Sequence, residues 1–300
     1  MNSHDKPLTL RTLLGDHPNT LALKRGEIKS GLVQFDFDAA KLAYPEFKRV
    51  VRGLEFDVAE LALMTFLVAK SWGKPLVLLP AVLTARFQHP YLVYNAEKRD
   101  LAPGDLIGRR VGIRSYAVTT VTWIRGILAN DYGVAPEHIC WVSFEDSHVA
   151  EYRDPPWVER AAAGANVMSM LFAGELDAVV ATDAALADPR LKTVIPDPKA
   201  QARLWHQRNR AIQINHMVVV RESLSKSNPA AVREVFRLLV DSKNAAPRAI
   251  ADGIEMNPFG VETNRHNLEV AIGYADQQGL LHRRLDVDEL YDDTTRALAS

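Results

Sequence analysis

The segments "QINHMVVVR" (213–221) and "RFQHPYLVYN" (86–95) each place a histidine before a short run of apolar and β-branched or aromatic residues. Such runs are typical of strands. The two strands divide the chain into a first block, 1–88, a middle block, 96–212, and a mostly helical tail. A middle block bracketed by two strands, with a tail that returns to the first block, predicts two lobes joined by a double hinge, with a ligand in the cleft between them.

Elsewhere along the chain, short Val-, Leu- and Ile-rich runs alternate with longer amphipathic segments. This alternation predicts βα units and a mainly parallel sheet, hence an α/β fold. One of the predicted helices covers 58–71. It overlaps a strand candidate, "FDVAEL" (56–61), and "FDVAELALM" (56–64) is a predicted strand-to-helix junction where a ligand could bind. The predicted lobes are residues 1–92 together with 220–300 for lobe 1, which is discontinuous, and 93–219 for lobe 2.

The composition is that of a globular protein without a strong charge bias. Of 300 residues, 47% are hydrophobic and 24% charged, and the formal net charge is −1. We therefore expect no nucleic-acid partner and no membrane partner. The single cysteine, Cys140, permits no internal disulfide. Because the first twenty residues lack the pattern of a secretory signal, we expect a cytoplasmic location.

Cofactor and metal motifs give no positive signal. The sequence contains no cysteine pair and no H-E-x-x-H. The segment "FEDSH" (144–148) has suitable ligand types, but we expect it to be a solvated loop. It also contains no G-x-G-x-x-G or Walker loop. We therefore expect neither a cofactor nor a bound metal.

Five segments carry a resemblance to a known family. They are "FDVAELALMTFLVAK" (56–70), "YAVTTVTWIRGIL" (116–128), "GELDAVV" (174–180), "NPFGVETNR" (257–265) and "YADQQGL" (274–280). Together they resemble the 4,5-dihydroxyphthalate decarboxylases, which are cytoplasmic relatives of the type 2 periplasmic binding proteins. The resemblance implies a two-lobed type 2 periplasmic-binding-protein-like fold with two hinge strands and a cleft between the lobes. It also makes a homo-oligomer a reasonable expectation.

Three positions depart from the family pattern. Asn19 and Gln88 stand where the family carries arginines, and Arg114 stands where the family commonly has a proline. Arginine binds a carboxylate through two parallel charged hydrogen bonds. We therefore expect that a carboxylate of the ligand is moved or absent relative to the usual substrate.

Three histidines are the predicted catalytic residues, because the pKa of histidine lies near neutral pH. His89 and His216 lie where the two hinge strands begin, and are the leading candidates for acid and base. His17, in "GDHPNT", follows the first strand and would reach the same edge of the cleft. The structural alternatives are a hydrogen bond to a hinge carbonyl for the first two, and a turn beside Pro18 for His17.

A predicted anion site lies between a strand end and a helix start in "VGIRSYAVTTVTWIRG" (111–126). Arg114, Tyr116, Thr119 and Thr120 would supply a cation, hydroxyl groups and free N–H groups there. The structural alternative is an ordinary helix N-cap formed by one of the threonines. Arg125, further along the same helix, is expected to form an ion pair at the surface or within the lobe.

Four more residues are predicted to bind substrate, each with a structural alternative. Arg86 could be a second clamp or a solvated charge, and Asp16 could orient a histidine or cap a turn. Glu60 could contact the ligand or complement a helix dipole as a residue that begins a helix. Glu262 could contact the ligand or help to dock the C-terminal helices, and docking is the preferred role of Arg265.

The resemblance implies a cofactor-independent decarboxylation of a hydroxylated aromatic carboxylic acid, 4,5-dihydroxyphthalate to protocatechuate or a close analogue. The alternative is a non-catalytic solute-binding protein for an aromatic or other organic anion. The missing signal pattern favours the enzyme, because a transport receptor must leave the cytoplasm.

Overall fold

The computed structural model describes residues 6–298, which fold as two compact units. Unit 1 contains the described residues up to Arg86, then Ile214–Ile272, then those from Leu281 onward. Unit 2 contains Phe87–Gln213 and Gly273–Leu280. These units differ from the predicted lobes 1–92 plus 220–300 and 93–219: both crossings come a few residues earlier, and the segment 273–280 belongs with unit 2.

The secondary structure alternates between short strands and helices. The strands are β1 (Leu8–Leu13), β2 (Val33–Phe37), β3 (Val58–Ala62), β4 (Leu76–Ala85), β5 (Leu92–Asn95), β6 (Arg110–Ile113), β7 (Cys140–Ser143), β8 (Val158–Arg160), β9 (Ala178–Val180), β10 (Leu191–Thr193), β11 (Ile214–Arg221), β12 (Ile250–Ala251) and β13 (Ile254–Glu255). The α-helices are α1 (Pro18–Lys24), α2 (Leu63–Ser71), α3 (Thr119–Tyr132), α4 (Val167–Ala173), α5 (Pro198–Asn209), α6 (Glu222–Ser227), α7 (Pro229–Asn244), α8 (Val261–Gln277) and α9 (Asp293–Arg296).

Unit 1 is built on a five-stranded sheet with the order β2-β1-β3-β11-β4. Strands β2, β1 and β3 are parallel, whereas β11 is antiparallel to both of its neighbours. The sheet is therefore mainly parallel, as predicted, with β11 as one strand that runs opposite to the other four. Strand β11 follows most of unit 2 in the sequence but pairs within the unit 1 sheet. Residues far apart in sequence are therefore neighbours at the centre of this sheet.

The strand-to-helix junction predicted in 56–64 is confirmed, but the helix begins at Leu63 and not at residue 58. Residues 58–62 form β3 and Leu63–Ser71 form α2, with Ala62 in an extended conformation at the junction. Almost every side chain from Val58 to Ser71 is buried. A segment buried on all sides shows neither a two-residue nor a 3.6-residue period, so its pattern cannot distinguish a central strand from a buried helix.

Unit 2 is built on a six-stranded sheet with the order β10-β5-β9-β6-β7-β8. Strands β9, β6, β7 and β8 are parallel to one another, while β5 runs antiparallel to both β9 and β10. This sheet is therefore also mainly parallel, with β5 running opposite to the rest. His89 does not begin β5 but lies in the 3₁₀ turn His89–Tyr91 that precedes it.

The end of α8 packs within unit 2, where Tyr274 lies among other aromatic side chains. The Tyr274 ring lies 5.2 Å from that of Trp123, and its hydroxyl accepts a hydrogen bond from Trp205 Nε1 at 3.0 Å. Gly126 in α3 makes room for it, since a Cβ there would lie 2.1 Å from the tyrosine ring. Across residues 6–298, no helix combines the length and the apolar character needed to cross a bilayer.

Candidate functional site

A buried carboxylate in unit 1 joins two histidines. The Glu60 side chain is 1% exposed. Its Oε1 lies 2.6 Å from His216 Nδ1 and 2.9 Å from His17 Nε2, and its Oε2 lies 2.9 Å from the same His17 nitrogen. Oε2 also accepts a hydrogen bond from the Gly15 N–H at 2.8 Å. The carboxylate is thus surrounded by donors from two separate parts of the chain, the turn after β1 and strand β11.

The register of the unit 1 sheet explains why these residues meet. Glu60 in β3 lies opposite Val218 in β11, so His216, two residues away, projects from the same face as its diagonal neighbour. Strand β1 pairs with β3 up to Leu13 opposite Ala59. Because the two strands are parallel, the turn after β1 emerges beside Glu60, and it carries His17.

Local packing fixes the orientation of the His17 side chain. His17 is the N-cap residue of α1, and its backbone N–H donates to Thr20 Oγ1 at 3.0 Å. A Cβ on Gly15 would lie 2.8 Å from His17 Nε2 and 3.0 Å from Glu60 Oε2. Only glycine therefore allows the turn to approach the carboxylate this closely without displacing a side chain.

The electrostatics of this group keep Glu60 ionised. Burial by itself raises the pKa of Glu60, but the hydrogen bonds from His17 and His216 outweigh it and hold that pKa below its usual range. Since a carboxylate only accepts hydrogen bonds, each ring nitrogen that faces it carries a hydrogen. The second nitrogens, Nδ1 of His17 and Nε2 of His216, do not face Glu60.

Both imidazoles reach the surface of the unit, whereas the carboxylate beneath them does not. The His17 and His216 side chains are 20% and 21% exposed. The ring of Phe47 packs edge-on against His216 with the centroids 5.2 Å apart. The group therefore presents two oriented imidazoles to a ligand above a fixed negative charge.

The same three side chains could hold a metal ion. His17, Glu60 and His216 each offer one ligand atom, and these atoms all lie within 4.8 Å of one another. The expectation of no metal site rested on the lack of a metal-ligand motif in the sequence. Here Glu60 is 43 positions from His17 and 156 from His216, a separation that no short motif can represent.

The prediction that Glu60 begins a helix is wrong. Glu60 lies in a strand rather than at the start of a helix, so it does not complement a helix dipole. Gly15 and Phe47 complete the surroundings of the group, and neither was singled out from the sequence. The carboxyl end of β1 was the available signal, because turns at strand ends are where α/β sheets bind ligands.

The hydrogen bonds of Glu60 do not involve the other predicted residues of unit 1. Asp16 pairs with Lys24 at 2.5 Å rather than with a histidine, and this hydrogen bond lowers the pKa of Asp16. Glu262 is exposed and pairs with Arg265 at 2.7 Å, and Arg265 also binds Asp288, as the docking alternative expects. Arg86 follows the last residue of β4 and is half-buried.

The predicted anion site of unit 2 is only partly accessible. Arg114 is half-buried, and its Nε lies 3.8 Å from a carboxylate oxygen of Glu145. Tyr116 is fully buried. The N-cap of α3 is Val118, so neither Thr119 nor Thr120 caps the helix as the structural alternative proposed. Thr119 is buried and Thr120 half-buried.

Arg125 is a fully buried cation, not half of an ion pair. Its guanidinium lies 3.5 Å from the centroid of the Tyr116 ring and donates to the Tyr116 carbonyl and to Gln278 Oε1, each at 2.8 Å. Among residues 6–298 no carboxylate lies within ion-pair distance of it, which corrects the expectation. The residue holds α3, the preceding loop and the segment after α8 together.

His89 is enclosed within unit 2. The side chain is fully buried, and neither ring nitrogen has a hydrogen-bond partner in the described part of the chain. Burial, and to a smaller extent the charge of Arg208, lowers the pKa of His89 to about 4. The ring is therefore neutral at neutral pH.

Sequence comparison finds two similar curated proteins, while no protein-family model matches the chain. The 4,5-dihydroxyphthalate decarboxylase of Comamonas testosteroni is 25% identical over 285 residues, covering 82% of this chain and 84% of that protein. The 4,5-dihydroxyphthalate decarboxylase of Pseudomonas putida is 27% identical over 214 residues, covering 67% and 82%. The predicted family resemblance is confirmed.

Solved structures confirm the fold class. The alkanesulfonate-binding protein of Xanthomonas axonopodis has a TM-score of 0.56 at 11% identity and covers 97% of this chain and 99% of its own. The periplasmic aliphatic sulphonate binding protein of Escherichia coli has a TM-score of 0.53 at 12% identity, covering 95% and 77%. The ligand-binding component of an ABC-type import system from Staphylococcus aureus has a TM-score of 0.57 at 10% identity, covering 99% of both chains. The fold is thus periplasmic-binding-protein-like.

Two of the three departures from the family pattern are buried in the structure. The Asn19 amide donates to the Leu83 carbonyl at 3.1 Å, so this side chain ties α1 to β4. Gln88 is fully buried, and its backbone N–H donates to Gln213 Oε1 at 2.6 Å. Arg114, in contrast, keeps a side chain that is 35% exposed. Of the three, Arg114 is the position best able to meet a ligand.

Proposed function

We propose that this protein decarboxylates a hydroxylated aromatic carboxylic acid, with 4,5-dihydroxyphthalate or a close analogue as the substrate. The observation that carries the proposal is the sequence similarity to two curated 4,5-dihydroxyphthalate decarboxylases over 82% and 67% of the chain. The geometry of His17, Glu60 and His216 supports it, because the reaction needs positioned hydrogen-bonding groups around an electron-rich ring.

The chemistry requires no organic or redox cofactor. A ring hydroxyl ortho or para to the carboxylated carbon supplies electron density, and that carbon accepts a proton. The bond to the carboxylate then breaks, its electron pair returns to the ring, and CO2 leaves. The protein must deliver the proton, orient the ring and avoid stabilising the carboxylate in place.

The proposal gives these tasks to the two exposed imidazoles. Nδ1 of His17 and Nε2 of His216 are the nitrogens that do not face Glu60, and they would meet the substrate oxygens and the ring carbon. Glu60 would orient both rings through the N–H groups that face it. One ring would also carry a hydrogen on its second nitrogen, and this is the proton that it gives to the ring carbon of the substrate. His89, which burial keeps neutral, is a poor acid near neutral pH, so its predicted catalytic role stays a prediction for the variants below to test.

The carboxylates of the substrate need a cation to orient them. Arg114 and Arg86 are the proposed clamps, since a guanidinium can bind a carboxylate in two places at once. Thr120, half-buried in the first turn of α3, is proposed to add a hydroxyl donor beside Arg114.

The direct test is turnover. We would incubate the purified protein with 4,5-dihydroxyphthalate and related hydroxybenzoates, and measure CO2 and the decarboxylated phenol. His17→Asn and His216→Asn should each lower kcat by about 10²–10⁴, the usual contribution of a positioned proton-transfer group. His89→Asn should lower it far less.

His266→Asn is the matched control, because His266 is an exposed histidine that also faces a carboxylate, Glu269, at 3.4 Å. It should leave kcat unchanged. Tight binding of one of these acids without turnover of any would instead identify a solute-binding protein and overturn the proposal.

The proposal includes a cytoplasmic location and a homo-oligomer. Cell fractionation with an antibody to the chain tests the first, and light scattering of the purified protein tests the second. A periplasmic protein would favour the solute-binding alternative.

A further inference from the structure

The geometry of His17, Glu60 and His216 points to a binding site for one divalent transition-metal ion. The ligand atoms are His17 Nε2, His216 Nδ1 and a Glu60 carboxylate oxygen, which all lie within 4.8 Å of one another. Two imidazoles and one carboxylate form a common protein ligand set for zinc, with a position left open for water or substrate. No other group of three such side chains converges among residues 6–298.

The observed distances need only a small change to admit the ion. The two nitrogens lie 2.9 Å and 2.6 Å from Glu60 Oε1. Around a tetrahedral zinc with bonds of about 2.0–2.1 Å, neighbouring ligand atoms lie about 3.3 Å apart. The rings would therefore move outward by less than about 1 Å, and both have room to do so because each side chain is about one-fifth exposed.

Neighbouring residues orient the three side chains in the way that outer-sphere residues orient the ligands of metal sites. The Gly15 N–H donates to Glu60 Oε2, which fixes the carboxylate and leaves Oε1 for the ion. Phe47 packs against the His216 ring and limits its rotation. Two imidazole nitrogens favour transition metals over Mg²⁺ and Ca²⁺, which prefer oxygen ligands.

The ion would supply an open coordination position at the exposed side of the group. That position suits an oxygen donor from an organic anion, either a carboxylate or a phenol oxygen. The identity of this anion rests on the proposed function, whereas the binding of the metal itself does not. The nitrogens that bind the ion would lose the hydrogens that face Glu60. The second nitrogen of each ring would then carry the hydrogen and could donate a hydrogen bond to the substrate.

The test is metal binding to the full chain after treatment with a chelator. Titration calorimetry with Zn²⁺ and elemental analysis of the dialysed complex should both give one zinc per chain. His17→Ala and His216→Ala should each weaken zinc binding by at least about 100-fold, since even outer-sphere partners contribute 10–100-fold. His266→Ala, which removes a histidine from an exposed histidine–glutamate pair, should bind like the wild type.

Two further measurements keep the test informative if a variant folds poorly. Zinc, but not Mg²⁺, should raise the Tm of the wild-type protein, because a ligand that binds only the folded state stabilises it. Substitution by Co²⁺ should produce visible absorption bands of a four- or five-coordinate site, and these bands should be missing from both histidine variants.

The outcomes separate this inference from the proposed function. Zinc that binds at one per chain and is lost in both variants supports the site, even if no aromatic acid is turned over. Absence of zinc binding by the wild type overturns the site, even if the chelator-treated protein decarboxylates its substrate. Zinc binding that both variants retain overturns it as well.

Discussion

Each unit buries a charged side chain, but the two charges have different surroundings. Glu60 of unit 1 is bonded to two histidines whose side chains are 20% and 21% exposed. Arg125 of unit 2 is bonded to the Tyr116 carbonyl and Gln278, and it stacks on the Tyr116 ring. All of the partners of Arg125 are themselves buried.

This difference separates a charge that can act on a ligand from one that stabilises packing. The histidines on Glu60 connect a buried negative charge to the surface, so a ligand, a proton or a metal ion can reach it through them. The neighbours of Arg125 close around it and leave it no route to a ligand. We therefore expect changes at Arg125 to affect folding, and changes at Glu60 to affect function.

The largest effect is expected from Arg125→Met in unit 2. This variant leaves Gln278 Oε1 and the Tyr116 carbonyl buried without their donor, at a cost of about 1–3 kcal/mol for each group. The free energy of unfolding, measured with urea, should fall by about 3–5 kcal/mol. Arg208→Met is the control, because Arg208 forms an ion pair with Asp131 at 2.8 Å and is 51% exposed. If the free energy of unfolding falls no more in Arg125→Met than in Arg208→Met, the contrast between the two units is contradicted.

Glu60→Gln in unit 1 should lower turnover more than stability, whereas Arg125→Met should mainly lower stability. Glutamine keeps the volume and one acceptor oxygen, but its NH2 group would face one of the donors, so the free energy of unfolding should fall by about 1–3 kcal/mol. Turnover should fall by about 100-fold or more, because the histidines lose the anion that orients them. A variant with normal turnover and a large loss of stability would make Glu60 the structural charge.

The pH dependence of stability should separate His89 from the accessible histidines. Its pKa is about 4 in the folded protein against an ordinary 6.5, so only the unfolded chain binds a proton between these values. Stability is therefore lost as pH falls through this window, by about 3 kcal/mol in total. Urea unfolding of His89→Gln at several pH values should show a flatter profile over the same window. An unchanged slope would mean that the folded protein protonates His89.

The smallest effect is expected from Asp16→Asn. Asp16 is next to His17 in sequence, but it pairs with Lys24 and its side chain is 39% exposed. Exposed ion pairs contribute about 0–1 kcal/mol, so both stability and turnover should change little. A large fall in kcat, measured in the same turnover assay, would bring Asp16 back into the site as the predicted partner of a histidine.

The sequence predicted the fold class and named all three members of the group, but it missed how the group is held together. His17 and His216 were found because they lie near strand ends, where the alternation of apolar runs is clear. Glu60 fell in both a strand candidate, 56–61, and a helix candidate, 58–71, because this continuously buried segment has no readable period. The pairing of β3 with β11, which joins Glu60 to His216, is a long-range contact that no local pattern contains.

The pairing of β11 with β3 also has a consequence for the order in which the protein is made. On the ribosome, Glu60 emerges long before His216, which is 156 residues later in the chain. Until β11 is synthesised, β3 has no partner on that side and the carboxylate has only the donors of the β1 turn. Strand β11 thus supplies both the centre of the sheet and His216 of the site. A nascent chain that ends before β11 contains neither the complete sheet nor the complete site.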